Sequence, residues 1–156
     1  MHRKLLLPLV LLALLVPSLT AQCTVFGQSC ASSGMNLICS SAPQIGTNWT
    51  IGERSAMACN GGTTNPTQVL TIYGVCFPGG IPLSAPITCR SCGGCNLYVL
   101  PALGAIRWTW PPRTQQIPIP ADRNLVGATF CMQDACVEQT QGCVCTSNAI
   151  QVVIQP

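Results

Sequence analysis

Apolar and polar positions alternate in short runs along most of this chain, and turn residues cut each run before a helical period can develop. In Thr47-Asn48-Trp49-Thr50-Ile51, Trp49 and Ile51 fall on one side and Thr50 on the other. Residues 68–75 carry Val69, Leu70, Ile72, Tyr73 and Val75 between Asn65-Pro66 and the turn-forming Phe77-Pro78-Gly79-Gly80. Residues 96–100 form a third run, which Pro101 is expected to end. Residues 106–110 set Ile106, Trp108 and Trp110 on one face against Arg107 and Thr109, the period of a half-buried strand. Residues 115–119 repeat the alternation, with Pro118 and Pro120 marking an edge position. Runs at 128–137 and 149–154 bring the prediction to at least seven strands, a number that suits an all-β, antiparallel β-sandwich.

One stretch breaks the pattern. Asp122-Arg123-Asn124-Leu125-Val126-Gly127 has the form of a single helical turn, with Asp122 as the N-cap and Gly127 closing it. The start of the chain differs as well. His2, Arg3 and Lys4 precede an apolar run at 5–16, followed by Pro17 and Leu19-Thr20-Ala21, the layout of a secretory signal ending near Ala21. That run is shorter than the roughly 20 residues needed to span a bilayer, so no membrane span is expected. Cys23 raises a lipoprotein reading, but bulky Gln22 stands where acylation wants a small residue, which favours the soluble form. Residues 22–42 then form an N-terminal cysteine-containing segment and residues 43–156 the sandwich domain.

Charge is scarce: 7% of the 156 residues are charged and 48% are hydrophobic, which excludes a charged disordered tail. Beyond residue 21 there are five arginines (54, 90, 107, 113, 123), four acids (Glu53, Asp122, Asp134, Glu138), no lysine and no histidine. The resulting net charge of +1 offers no funnel for nucleic acid or anionic lipid. All 12 cysteines (Cys23, Cys30, Cys39, Cys59, Cys76, Cys89, Cys92, Cys95, Cys131, Cys136, Cys143 and Cys145) lie beyond the signal. An even count in an exported chain implies up to six disulfides, each contributing about 2–4 kcal/mol, with pairing open. Cys143 and Cys145 project to the same side of an extended chain and are expected to bond to different partners.

The segment Ile117-Pro118-Ile119-Pro120-Ala121-Asp122-Arg123-Asn124-Leu125-Val126-Gly127-Ala128-Thr129-Phe130, then Gln133 and Ser147-Asn148-Ala149-Ile150, resembles the C-terminal signature of secreted β-sandwich proteins abundant in planctomycete-type bacteria. Cys95-Asn96-Leu97-Tyr98-Val99 is similar to an upstream strand of that family, and Pro43-Gln44-Ile45-Gly46 through Ile51 to its entry segment. The likeness spans most of 43–154. It departs at Cys131, Asp134, Cys136 and Cys143-Val144-Cys145, so the cysteine enrichment is particular to this chain. The resemblance implies a fold and an exported location only.

Candidate chemistry is thin. Cys89-Arg90-Ser91-Cys92-Gly93-Gly94-Cys95 contains two overlapping CxxC units, the form of a redox dithiol or half a thiolate metal site. Residues 96–99 read as a strand, not as a helix whose dipole would lower a thiol pKa, and no histidine is at hand. Structural disulfides are therefore the stronger reading, and no metal or cofactor is expected. Without histidine, Ser-His-Asp and Cys-His catalysis are excluded. A glycosidase needs two carboxylates, yet Asp122 reads as a cap, and Asp134 and Glu138 in one strand stand about 13 Å apart, wider than the roughly 5–9.5 Å of catalytic pairs. Trp49, Trp108, Trp110, Tyr73 and Tyr98 could stack on sugars or anchor a partner, although rings at period two commonly face a core. Asn48-Trp49-Thr50 fits a glycosylation acceptor or an ordinary strand entry.

The sequence therefore predicts a secreted, disulfide-braced β-sandwich acting as a structural, adhesive or carbohydrate- or protein-binding module. An inhibitor presenting the interval 76–89 as a rigid loop is the alternative, and a carboxylate-based glycosidase the third. Intact mass spectrometry of the secreted chain without reductant checks the sulfur arithmetic: loss of 12 hydrogens from the reduced mass of residues 22–156 is expected, and retained zinc or free thiols would contradict it.

Overall fold

The computed structural model describes residues 23–30, 36–39, 41–51, 68–84, 87–89, 94–108, 114–138 and 142–156, without the side chains of Arg107, Trp108 and Glu138. The signal segment, Glu53, Arg54, Cys59, Arg90, Cys92, Trp110 and Arg113 lie outside the described residues. Seven strands are present among them: β1 (Cys23–Phe26), β2 (Asn48–Ile51), β3 (Gln68–Pro82), β4 (Asn96–Trp108), β5 (Gln115–Pro118), β6 (Thr129–Glu138) and β7 (Cys143–Val153). The fold is all-β and antiparallel, with a five-stranded sheet in the order β1-β7-β6-β3-β4 and a two-stranded sheet of β2 and β5. Asp122 caps a 3₁₀ turn at Arg123–Leu125, its Oδ1 accepting the Asn124 N–H at 2.9 Å, as its place in the sequence predicts.

The strand period decides what each face buries. Met132, Ile150 and Val152 project from β6 and β7 onto Trp49, Ile51 and Ile119, so the small sheet stacks on one face of the large one. Their neighbours Cys131, Ala135 and Ala149 project the other way, onto Tyr98 and Val99 of β4. That second contact is unexpected from strand order alone. β1 and β4 are opposite edges of a five-stranded sheet, about 19 Å apart if the sheet were flat. Yet the Phe26 ring on β1 meets the Tyr98 ring edge-to-face with centroids 5.9 Å apart. The distal half of the β3–β4 ribbon must therefore turn back and lie across the face.

Gly74 permits the bend. Pairing of β3 with β4 jumps from Tyr73↔Gly104 to Val75↔Leu100, leaving Gly74 against a bulge of Pro101, Ala102 and Leu103. A Cβ on Gly74 would lie 1.8 Å from the Leu100 carbonyl oxygen, so only glycine fits. The folded arm is held by Gln133 of β6, whose side chain is fully buried. Its Oε1 accepts the Tyr98 N–H at 2.8 Å, and its Nε2 donates to the Asn96 and Ser147 carbonyls at 2.9 and 2.8 Å. At the far side the Tyr98 hydroxyl accepts the Gln28 N–H at 3.1 Å, while Gly27, at φ 72°, leaves room for the ring.

Some elements differ from those the sequence predicts. Pro101 does not end a strand: it sits in the bulge of an edge strand, where its missing N–H breaks no ladder bond, so residues 96–100 and 106–108 belong to one strand. Phe77-Pro78-Gly79-Gly80 is a second bulge within β3 rather than a terminating turn. β7 begins at Cys143 instead of 149, and β1, unpredicted, lies inside the segment 22–42.

Replacing Gln133 by Leu leaves the Tyr98 N–H and the Ser147 carbonyl without their partner and is expected to cost about 3 kcal/mol or more. Gly74→Ala should cost about as much by overpacking. Gly79→Ala, with nothing within 4 Å of the new methyl, should stay within about 0.5 kcal/mol. Guanidinium unfolding with disulfides intact checks the contrast.

Candidate functional site

All ten described cysteines are disulfide-bonded. Four bridges are Cys23–Cys39, Cys30–Cys95, Cys76–Cys131 and Cys89–Cys143; Cys136 and Cys145 are bonded as well. Cys59 and Cys92 lie outside the described residues. Cys143 and Cys145 do not bond to each other, as their shared side of the strand predicts. The two outer cysteines of the overlapping CxxC units go elsewhere: Cys89 to β7 and Cys95 to Cys30, just past the β1 turn. With both sulfurs spent on long-range bridges, neither is left to form a vicinal dithiol or a thiolate ligand set. Around these bridges Cys30, Cys89, Cys95, Cys136, Cys143 and Cys145 pack with Val69 and Leu83 into a sulfur-rich core at one end of the sheet.

The bridges also cover an edge. Beyond β1, the outer side of β7 is met by Ile87 and Cys89, with Val144 N–H donating to the Ile87 carbonyl at 2.8 Å, and by Cys30, whose N–H donates to the Thr146 carbonyl at 3.0 Å. Backbone groups that would otherwise face solvent are thereby paired. The Cys23 sulfur, bonded to Cys39, is not available for a thioether-linked lipid.

The aromatic candidates separate by position. Trp49 is 1% exposed, donates Nε1–H to the Ser41 carbonyl at 2.9 Å and meets the Phe130 ring edge-to-face. Tyr98 is 6% exposed and committed to the folded arm. A surface platform is thus not built from these two rings: each lies on the inward face of its strand, where burial of a large ring outweighs its use at the surface. Trp108 ends β4, and Trp110 lies outside the described residues. The interval 76–89 is not a cystine-closed protruding loop either, because Ile81 and Pro82 pair with β4 and its two cysteines bond to different strands.

Of the acids, Asp122 is an exposed cap, and Asp134 is 2% exposed with Oδ1 accepting the Thr71 hydroxyl at 2.6 Å. Glu138 stands four residues further along the same strand, and Glu53 lies outside the described residues. Asn48 is exposed at the start of β2.

Two concavities are lined by described residues. A groove of about 540 Å³ lies between the β1 turn and residues 36–38, where the Asn148 amide clamps Leu37 through both its N–H and its carbonyl at 2.7 and 3.0 Å. A second, of about 390 Å³, lies between β4 and β5 and is lined by Tyr73, Leu103, Ile106, Ile117 and Phe130 together with Gln115, Gln116 and Pro118. Gln115 Nε2 donates to the Tyr73 hydroxyl at 2.8 Å on its floor. Dividing β4 at Pro101 hides this groove from a sequence reading; the uncharged stretch 100–106 was the available signal.

No family model matches the chain, and no curated protein or solved structure matches it either.

Removing the Cys30–Cys95 bridge by a double serine substitution frees a loop 65 residues long and is expected to lower stability by about 4 kcal/mol. Hydrogen exchange at the Tyr98 amide should accelerate more than at Val152, which lies on β7 away from the arm.

Proposed function

We propose that this chain is an exported module that works by binding or by structural association outside the cytoplasm. The observation that carries this is the sulfur chemistry: every described cysteine is cross-linked, and the four bridges named above join separate strands and segments. Such a network persists in an oxidising compartment and is lost in a reducing one. The basic and apolar start of the chain supports export, and the resemblance to secreted β-sandwich proteins supports the same location. No helix among the described residues is long and apolar enough to cross a membrane. The Cys23–Cys39 bridge favours release over lipid anchoring. Association is supported by exposed apolar side chains, among them Leu103 at 70% exposure, on a surface with very little charge. Carboxylate catalysis draws no comparable support, since Asp122 caps a turn and Asp134 is buried against Thr71.

Expression of the full chain with its own leader, followed by cell fractionation and thiol labelling, tests the reading. The expected product starts at Gln22, is found outside the cytoplasm without added lipid mass, takes up no thiol reagent when folded, and resists trypsin until a reductant is added. Cytoplasmic material that is folded, reduced and labelled would overturn it.

A further inference from the structure

Lys4 is the chain's single lysine, and it lies in the leader. Once the leader is cut after Ala21, the α-amine of Gln22 is therefore the one primary amine left in the exported chain. Its fate decides whether the molecule displays any amine at all. Gln22 lies outside the described residues, but the residue after it is fixed on two sides. Cys23 opens β1, pairs with Val152 of β7 and is bonded through its sulfur to Cys39. β1 is an edge strand, and Thr24 and Val25 beyond Cys23 are exposed. The cut thus leaves a single residue ahead of an anchored strand at the edge of the sheet.

A glutamine at a free N-terminus carries an amine nucleophile and a carboxamide on one residue. Holding both reacting groups on one short side chain replaces a collision by an intramolecular step. The α-nitrogen attacks Cδ, the new N–Cδ bond closes a pyrrolidone ring, and the Cδ–Nε2 bond breaks, with the amide nitrogen leaving as ammonia. The step needs no oxidant, reductant or second substrate. We propose that Gln22 is a modification site, converted to pyroglutamate after export, so that the mature chain carries no primary amine. The inference rests on the export proposed above and on cleavage after Ala21. Its physical consequence falls on the neighbouring bridge. The free α-amine is largely protonated near neutral pH and would set a positive charge beside the half-buried Cys23–Cys39 disulfide. A nearby cation stabilises the thiolate released when a disulfide is attacked. Cyclisation removes that charge, together with the amine that an aminopeptidase requires.

Amine counting tests the assignment: the full chain is expressed with its own leader, recovered unreduced, and treated with an N-hydroxysuccinimide ester before any digestion. The parent chain should take up no label. Its intact mass should fall below that of residues 22–156 by one ammonia, beyond the hydrogens lost to disulfides, and the missing ammonia should map to the N-terminal peptide. A Gln22→Ser variant, which has no carboxamide to close on, should keep its α-amine and take up one label. One label on the parent, with an N-terminal peptide that starts at Gln22 and keeps its ammonia, would overturn the inference and leave export standing. An N-terminal peptide that starts at another residue beyond the leader would do the same. Two labels, on Met1 and Lys4, mark an uncut leader and would overturn both the inference and the export on which it rests.

Discussion

Tyr98 is the residue on which the arrangement of this molecule turns. Its backbone N–H is held by the buried Gln133 amide, its hydroxyl by the Gln28 N–H, and its ring by Phe26. Those three contacts come from β6, the β1 turn and β1, so one side chain and one amide fix the folded ribbon across the width of the sheet. A buried glutamine is costly unless satisfied, and of the three hydrogen bonds Gln133 makes, the two to Tyr98 and Asn96 exist only because the arm crosses here. The polar network therefore specifies where the arm lies, while the apolar contacts beneath it supply most of the stabilisation.

The disulfides repeat the same design in covalent form. Cys30–Cys95 ties the end of the β1 turn to the start of β4, and Cys76–Cys131 ties the arm to β6 on the face it covers. Both span long loops, which is where a cross-link restricts the unfolded chain most. With little charge and a chain rich in glycine and proline, the molecule gains order from these links in addition to that of its strand pairing.

What was legible in the sequence depends on the distance over which each signal acts. Period-two alternation reports local burial, so the strands around Trp49, Tyr73, Ile117 and Ile150 and the all-β class were readable. The Asp122 turn was readable too, because a cap is a local hydrogen bond. Proline reports only a missing N–H, and at Pro101 and Pro78 a bulge absorbs that loss, so two apparent stops were continuations. The fold-back of β3–β4, the pairing of the cysteines and the groove at Leu103 depend on contacts distant in sequence. Spacing carries no record of them. Trp49 and Tyr98 show the same limit, since an aromatic ring has one signature whether it faces a core or a ligand.

The folded ribbon is tested most directly by finding which sulfurs are joined. Proteolysis of the secreted, unreduced chain and mass spectrometry of the linked peptides should recover Cys30 joined to Cys95 and Cys76 joined to Cys131, the two links that pin the arm to the sheet. Recovery instead of Cys95 bonded to Cys92 within the CxxC stretch would contradict it, because the start of β4 would then lack its link to the opposite edge.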